Sequence, residues 1–159
     1  MSTIVGIDPG VTGGLACIYD GKLAAVEPMP VYSGRADGMG IDQLLSEWEP
    51  DAVYLEDTQP MPKNGSIATF SLGLNTGIII GAVQANEFRL VRVKPQLWKK
   101  RMGLTGKDKN ASRGLARELF PEFANKFILV KSDGLAEAAL IARYGAFNEF
   151  ATHYEGQPQ

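Results

Sequence analysis

Apolar residues recur along this chain in two rhythms, and the switches between them mark out its elements. Ile4, Val5 and Ile7 form a short apolar run, the pattern of a strand covered on both faces. Comparable runs predict strands over 3–8, 13–19, 22–27, 51–57 ("DAVYLED") and 88–93 ("FRLVRV"). Pro-Gly joins the first two of these, and the "DG" between the second and third is a strong hairpin signal. Helical spacing predicts a short helix near 40–48 with Leu44, Leu45 and Trp48 inward, and a long one over about 66–86. Pro95 opens a further helix carrying Leu97 and Trp98, another covers 108–119 and stops before Pro121, and a last one runs from Asp133 to about Phe147. "PMPVYSGRADGMG" and "QPMPKNG" read as loops, the first of them mobile. With no repeat and no linker, residues 1–150 are expected to form a single α/β domain and 151–159 a flexible polar tail.

Composition narrows the chemistry. The 159 residues are 45% hydrophobic and 21% charged, the make-up of an ordinary globular domain. No stretch reaches about 18 uninterrupted apolar residues and no basic-plus-apolar leader opens the chain, so neither membrane span nor export signal is expected. One cysteine, Cys17, excludes an intrachain disulfide and fits a reducing cytoplasm. One histidine, His153, lies in the polar tail, which argues against His-based triads and His/Cys zinc sites. The net charge of −2 conceals a division: Arg89 to Arg117 holds ten basic residues and one acid, +9, against −11 for the remainder. A segregated positive surface of this kind suits a polyanion, nucleic acid before a merely solvated helix face. Lys99, Lys100, Lys107, Lys109 and Arg113 are the residues expected to meet its backbone.

Two apolar strands end in acid: the first at Asp8, the fourth at Glu56 or Asp57. Ligand sites of open α/β sheets gather at such strand ends, although a hairpin whose aspartate caps the turn gives the same pattern. Parallel neighbours about 4.8 Å apart could share one ion between these carboxylates. "SDGLAEAALIA" adds Asp133 and Glu137, four apart and so on one face near a helix N-terminus. Asp133 also suits a plain N-cap. Glu137 stands among small and apolar residues, where a charge is costly unless paired or ligating a metal. Four oxygen ligands without His or Cys suit Mg²⁺ or Mn²⁺, and two such ions about 3.5–4 Å apart support phosphodiester hydrolysis. Gly13 and Gly14 are expected to leave room for a phosphate backbone.

Taken together, "IVGIDPGVTGGLA", "VYLEDTQPMPKNG", "KDKNASRGLARELFP" and "SDGLAEAALIA" make residues 3–147 similar to the RuvC family of Holliday junction resolvases. The resemblance implies an RNase H-like fold: a five-stranded mixed sheet, its first three strands antiparallel, flanked by helices. It implies a homodimeric, metal-dependent endonuclease that nicks four-way DNA junctions and leaves 5′-phosphate and 3′-hydroxyl ends. Two Mg²⁺ ions per site, with Mn²⁺ as substitute, no nucleotide cofactor and a cytoplasmic setting in a bacterium or phage host complete that picture. Position by position, it assigns Asp8, Glu56, Asp133 and Glu137 as catalytic metal ligands and Lys109 as the cation beside the scissile phosphate, with Lys107 its rival. The chain departs from the family twice. The bacterial pair on the last helix is three apart, whereas Gly134 stands where that spacing needs an acid; and "DTQPMPKNG" lacks the family's aromatic wedge, leaving Met61 or the prolines as substitutes.

Other readings of the same residues stay open at this level. "IVGIDPGVTGG" also resembles the first phosphate motif of actin-like ATPases and sugar kinases, which require two such domains and a second glycine-rich motif. A nuclease acting on RNA–DNA hybrids or flaps shares the acids, while a module that clamps branched DNA without cutting would gain by losing them. Gly73, Gly77 and Gly81, continued by Ala85, give the long helix a stripe almost without side chains. That stripe either packs on the chain's own sheet or, with Leu74 and Ile78, meets a second copy.

Overall fold

A computed structural model describes residues 1–155. Five strands form one sheet: β1 (Thr3–Asp8), β2 (Gly14–Tyr19), β3 (Lys22–Pro28), β6 (Ala52–Glu56) and β7 (Leu90–Val93), in the order β3-β2-β1-β6-β7. β1, β2 and β3 are antiparallel, while β6 and β7 run parallel to β1. This is the mixed sheet that the family resemblance implies. The expected mobile loop is instead held in place. It contains a two-stranded hairpin, β4 (Val31–Tyr32) and β5 (Arg35–Ala36), whose ends bury Met29 and Ala36. The Ala36 N–H donates to Asn75 Oδ1 at 2.8 Å, so a buried amide on a neighbouring helix ties it down.

Helices cover both faces of the sheet. On one lie α1 (Gly38–Trp48) and α2 (Ser66–Ala85), closing a core of Val5, Ile7, Leu15, Ile41, Leu45, Leu55, Ile79 and Val83. On the other, α3 (Pro95–Arg101), α4 (Lys109–Leu119) and α5 (Asp133–Glu155) enclose Ile4, Ile18, Tyr54, Trp98, Phe127, Leu140 and Ile141. α5 continues past Phe147 to Glu155, into the stretch expected to be a tail; residues 156–159 lie outside the described residues. α2 is long and apolar enough to cross a membrane by length and composition, yet Asn75, Ile79 and Val83 on one of its faces are buried in the fold.

The contact that organises the molecule is α5 against β1. α5 turns Ala136, Ala138, Ala139, Ala142 and Ala146 inward, all buried, so it settles close to the sheet. At Gly6 the approach is closest: a Cβ there would lie 2.2 Å from the Ala142 nitrogen and 2.4 Å from the Ala138 carbonyl oxygen. Backbone atoms of a buried helix cannot swing aside as a side chain can. Gly6→Ala should therefore destabilise the fold by at least about 3 kcal/mol, the upper range for overpacking, read as a lowered urea midpoint.

Candidate active site

The parallel register sets Ile7 beside Leu55, so the residues that follow, Asp8 and Glu56, come out next to each other at the same edge of the sheet. α5 descends onto that edge and brings Glu137 to them. The three acids are close enough that Glu137 disfavours ionisation of both Asp8 and Glu56, and Glu56 that of Asp8. Burial pushes Asp8 up to about 8, with Glu137 and Glu56 adding to the rise and Lys109 and Lys99 opposing it. Burial likewise raises Glu56, although a hydrogen bond from Trp98 Nε1 to its Oε2 at 2.7 Å works the other way. Glu137, only 5% exposed, is raised by burial against the pull of Lys99 and Lys109, with the charge of Asp133 adding to the rise. The Lys99 ammonium stands 4.0 Å from Glu137 Oε1 and 5.3 Å from the centroid of the Trp98 ring.

Asp57, the rival to Glu56, is spent elsewhere: Arg92 pairs with it and Gln59 Nε2 donates to it at 3.1 Å. Asp133 is set apart from the other three acids by having a cation of its own. Arg113 is buried, with its guanidinium shared between Asp133 and Asn110 Oδ1. The expectation that Arg113 meets DNA phosphates is corrected by this arrangement, since the side chain faces inward onto a carboxylate. Asp133 still opens onto a cleft, which it lines with Asp8, Thr12, Lys109, Val130, Lys131 and Gly134. Lys109, the first residue of α4, thus stands where the sequence puts it, beside the acids. Lys107 precedes α4 and is exposed, whereas Lys100 lines a separate groove with Leu97, Arg101, Tyr144 and Asn148, away from the carboxylates.

The glycines near Asp8 have a different purpose from the one expected. A Cβ at Gly13 would lie 2.0 Å from the Asp8 carbonyl oxygen, and one at Gly134 would lie 2.2 Å from the Thr12 carbonyl oxygen. They let the β1–β2 turn fold back on itself and press on the first turn of α5, so the space is filled by the chain rather than kept for a ligand. Gly134 also explains the four-residue spacing of the acids: no side chain fits where a three-apart partner of Glu137 would stand. Sequence reasoning missed Trp98 as the donor to Glu56 and Lys131 as part of the cleft. The adjacency of Lys131 to "SDG" was the available signal for the second.

Whether a divalent cation suits this site is a question of its donors. Among the described residues no three acids are drawn together tightly enough to hold an ion in this structure. Their chemistry nonetheless fits one: three carboxylates, two of them buried, repelling one another with Lys99 and Lys109 as partial counter-charges. Hard oxygen donors with uncompensated charge match Mg²⁺ or Mn²⁺.

Removing Arg113 should leave Asp133 as an uncompensated, largely buried charge. Arg113→Ala is expected to cost about 3 kcal/mol, and combining it with Asp133→Asn should recover part of that loss in a double-mutant cycle read by denaturant unfolding.

No family model matches the sequence. The chloroplastic Holliday junction resolvase of Chlamydomonas reinhardtii is 35% identical over 92 residues, which cover 57% of this chain. The chain spans about a tenth of the length of that curated relative, 10% of it being matched. Among solved structures, Thermus thermophilus RuvC in complex with a Holliday junction substrate superposes with a TM-score of 0.73 at 18% identity, covering 95% of this chain and 96% of that one. The Fowlpox virus resolvase in complex with its substrate Holliday junction DNA gives 0.55 at 16% identity, over 91% and 99% of the two chains. The yeast mitochondrial Holliday junction resolvase gives 0.53 at 16% identity, over 96% and 84%. The fold is that of RuvC and other Holliday junction resolvases.

Proposed function

We propose that this chain is a metal-dependent endonuclease that resolves four-way DNA junctions, and that it works as a homodimer. One observation carries the reading: three carboxylates from β1, β6 and α5 are brought to one edge of a RuvC-like sheet although burial and neighbouring acids oppose it. A chain that needed only a stable fold would gain by replacing them. Asp8, Glu56 and Glu137 would hold the first Mg²⁺, and Asp133, already balanced by Arg113, would share in the second. Bound there, such ions supply an activated water and stabilise the leaving oxygen of a phosphodiester.

The chain's own residues do the remaining work. Trp98 fixes the Glu56 carboxylate through its indole N–H, and Lys99 faces Glu137. Lys109 stands at the cleft, where it would hold the phosphate beside the scissile bond and stabilise charge growing on it. Lys99, Lys100 and Lys107 extend the positive surface for the DNA backbone, with Lys107 the less favoured candidate for the catalytic cation. The names of the similar proteins, a chloroplastic enzyme and structures solved with Holliday junction DNA, support branched DNA as the substrate. Cys17, a lone buried thiol, accords with the reducing, cytoplasmic setting this reading includes.

Replacing Asp8 by Asn, or Glu56 or Glu137 by Gln, should reduce junction cleavage by at least about a hundredfold, more than the loss of an outer-shell partner of a metal ligand. Junction binding measured with chelator should persist, because the lysines are untouched. Near wild-type cutting by Glu56→Gln would exclude it as a ligand.

Pairing of two copies rests on α2. A Cβ added at Gly73, Gly77 or Gly81 would meet nothing within 4 Å, so the stripe does not pack on the chain's own sheet. Ile67 and Phe70, on the first turns of the same helix, are 86% and 72% exposed. An apolar helix that leaves this much surface in water invites a partner, and a second copy would place two sites at a fixed separation, as two matched nicks require. Gly77→Leu should leave the monomer fold intact or steadier, since leucine favours a helix by somewhat less than 1 kcal/mol over glycine. Its bulk should nevertheless break the dimer. Sedimentation would show a folded monomer; an intact dimer would remove the stripe from the interface.

A further inference from the structure

Between two buried anchors, Phe127 and Ser132, the chain pushes out four side chains in succession: Ile128, Leu129, Val130 and Lys131. The three apolar ones are 57%, 53% and 72% exposed. The turn beneath them is closed by the Ser132 N–H donating to the Leu129 carbonyl at 2.9 Å. Just before it, Lys126 Nζ donates to the Val26 carbonyl at 3.1 Å and fastens the segment to β3. The ridge is thus held at both ends by the fold, and its apolar atoms face water. Runs of exposed apolar residues cost solubility and mark contact sites.

Position says what kind of contact. Val130 and Lys131 line the same cleft as Asp8, Lys109 and Asp133, so whatever enters that cleft touches the ridge. Lys109 and Lys131 give the cleft cations for phosphate. Phosphate has no use for aliphatic side chains, and a continuous duplex hides its base faces by stacking. A nucleic acid offers apolar surface beside its backbone where stacking is interrupted, as at a branch point, and there apolar side chains insert between base steps.

We propose that the Ile128–Lys131 ridge is the element that recognises branched DNA. Lys131 meets a phosphate at the mouth of the cleft, and Leu129 and Val130 contact base faces exposed at the branch. The inference rests on the proposed junction nuclease and names the part of its surface that separates junction from duplex.

The test compares wild type with the double variant Leu129→Ser, Val130→Ser and with Val130→Phe, all with chelator present. The DNA is a four-way junction carrying 2-aminopurine beside the branch, and a linear duplex of matched sequence. Wild type should brighten the 2-aminopurine as the base unstacks, and should prefer the junction. The double variant should lose the brightening and at least about tenfold in junction affinity, with duplex affinity unchanged. Val130→Phe, a larger apolar group at the same place, should keep both. Because these side chains are exposed, an unchanged melting temperature is expected throughout. A double variant that still brightens and prefers the junction overturns the ridge proposal and leaves the nuclease reading standing. A wild type without junction preference overturns both. Loss of self-association in the double variant, with brightening retained, would assign the ridge to a contact between copies and overturn its role in DNA recognition.

Discussion

The acid-bearing edge of this molecule depends on how closely the last helix lies on the central strand. α5 can reach β1 only because Gly6 has no side chain and the helix presents alanines to the sheet. Two further close approaches fix its pose: Gly134 against the Thr12–Gly13 turn, and Gly145 against the ring of Tyr54. With the helix pinned at its start and along its length, Glu137 has nowhere to go but the neighbourhood of Asp8 and Glu56. Burial first, and neighbouring acids second, oppose that placement and raise the pKa values of all three acids. Packing prevails because it is distributed over the whole helix, whereas the repulsion acts at one point. Local strain of this kind persists where the surrounding fold over-determines it.

The same division of labour runs through the basic segment. Three of its arginines face carboxylates: Arg89 pairs with Glu149, Arg92 with Asp57 and Arg113 with Asp133. A planar guanidinium with several fixed donors suits such fixed, partly buried pairs. The lysines nearest the acids are placed otherwise. Lys109 lines the cleft, as does Lys131 from beyond the segment, and Lys99 faces Glu137 across 4.0 Å. An ammonium on a flexible stem is the better group for following a moving backbone. The +9 of the segment is accordingly not all available to a polyanion, because three of its arginines already face carboxylates of the chain, one of them buried.

What could be read from the sequence follows from this. Apolar runs closed by acid announced Asp8 and Glu56, and helical spacing announced the pairing of Asp133 with Glu137 on one face, because both signals are local. The choice between Glu56 and Asp57 was not local: it turns on Arg92, a strand away. Arg113 looked like a phosphate contact because a charge count cannot tell a guanidinium that faces inward from one that faces water. The 28–40 stretch looked mobile from its glycines and prolines, yet Asn75, about forty positions on, supplies the hydrogen bond that holds it. Gly134 is the instructive case. It read as an acid missing from a pattern, and the structure makes it a contact in which no side chain fits.

Three features of this chain lower the stability of an isolated copy, and they belong together. The acids repel one another, α2 carries a glycine stripe with open space beside it among the described residues, and three consecutive apolar side chains stand in water beside the cleft. Glycine alone costs about 1 kcal/mol per position inside a helix, and each of the other two features breaks a rule that the rest of the fold obeys. Elsewhere the chain is well behaved: α1 and α4 are capped by Asp37 and Asp108, its sheet is closed by apolar layers on both faces, and Arg89, Arg92 and Arg113 are paired with carboxylates. A sequence that follows the rules almost everywhere departs from them where another requirement prevails. On the proposed reading each departure would be relieved by a different partner: a cation for the acids, a second copy for the stripe, and an interrupted stack of bases for the ridge. A junction nuclease would meet all three in one complex.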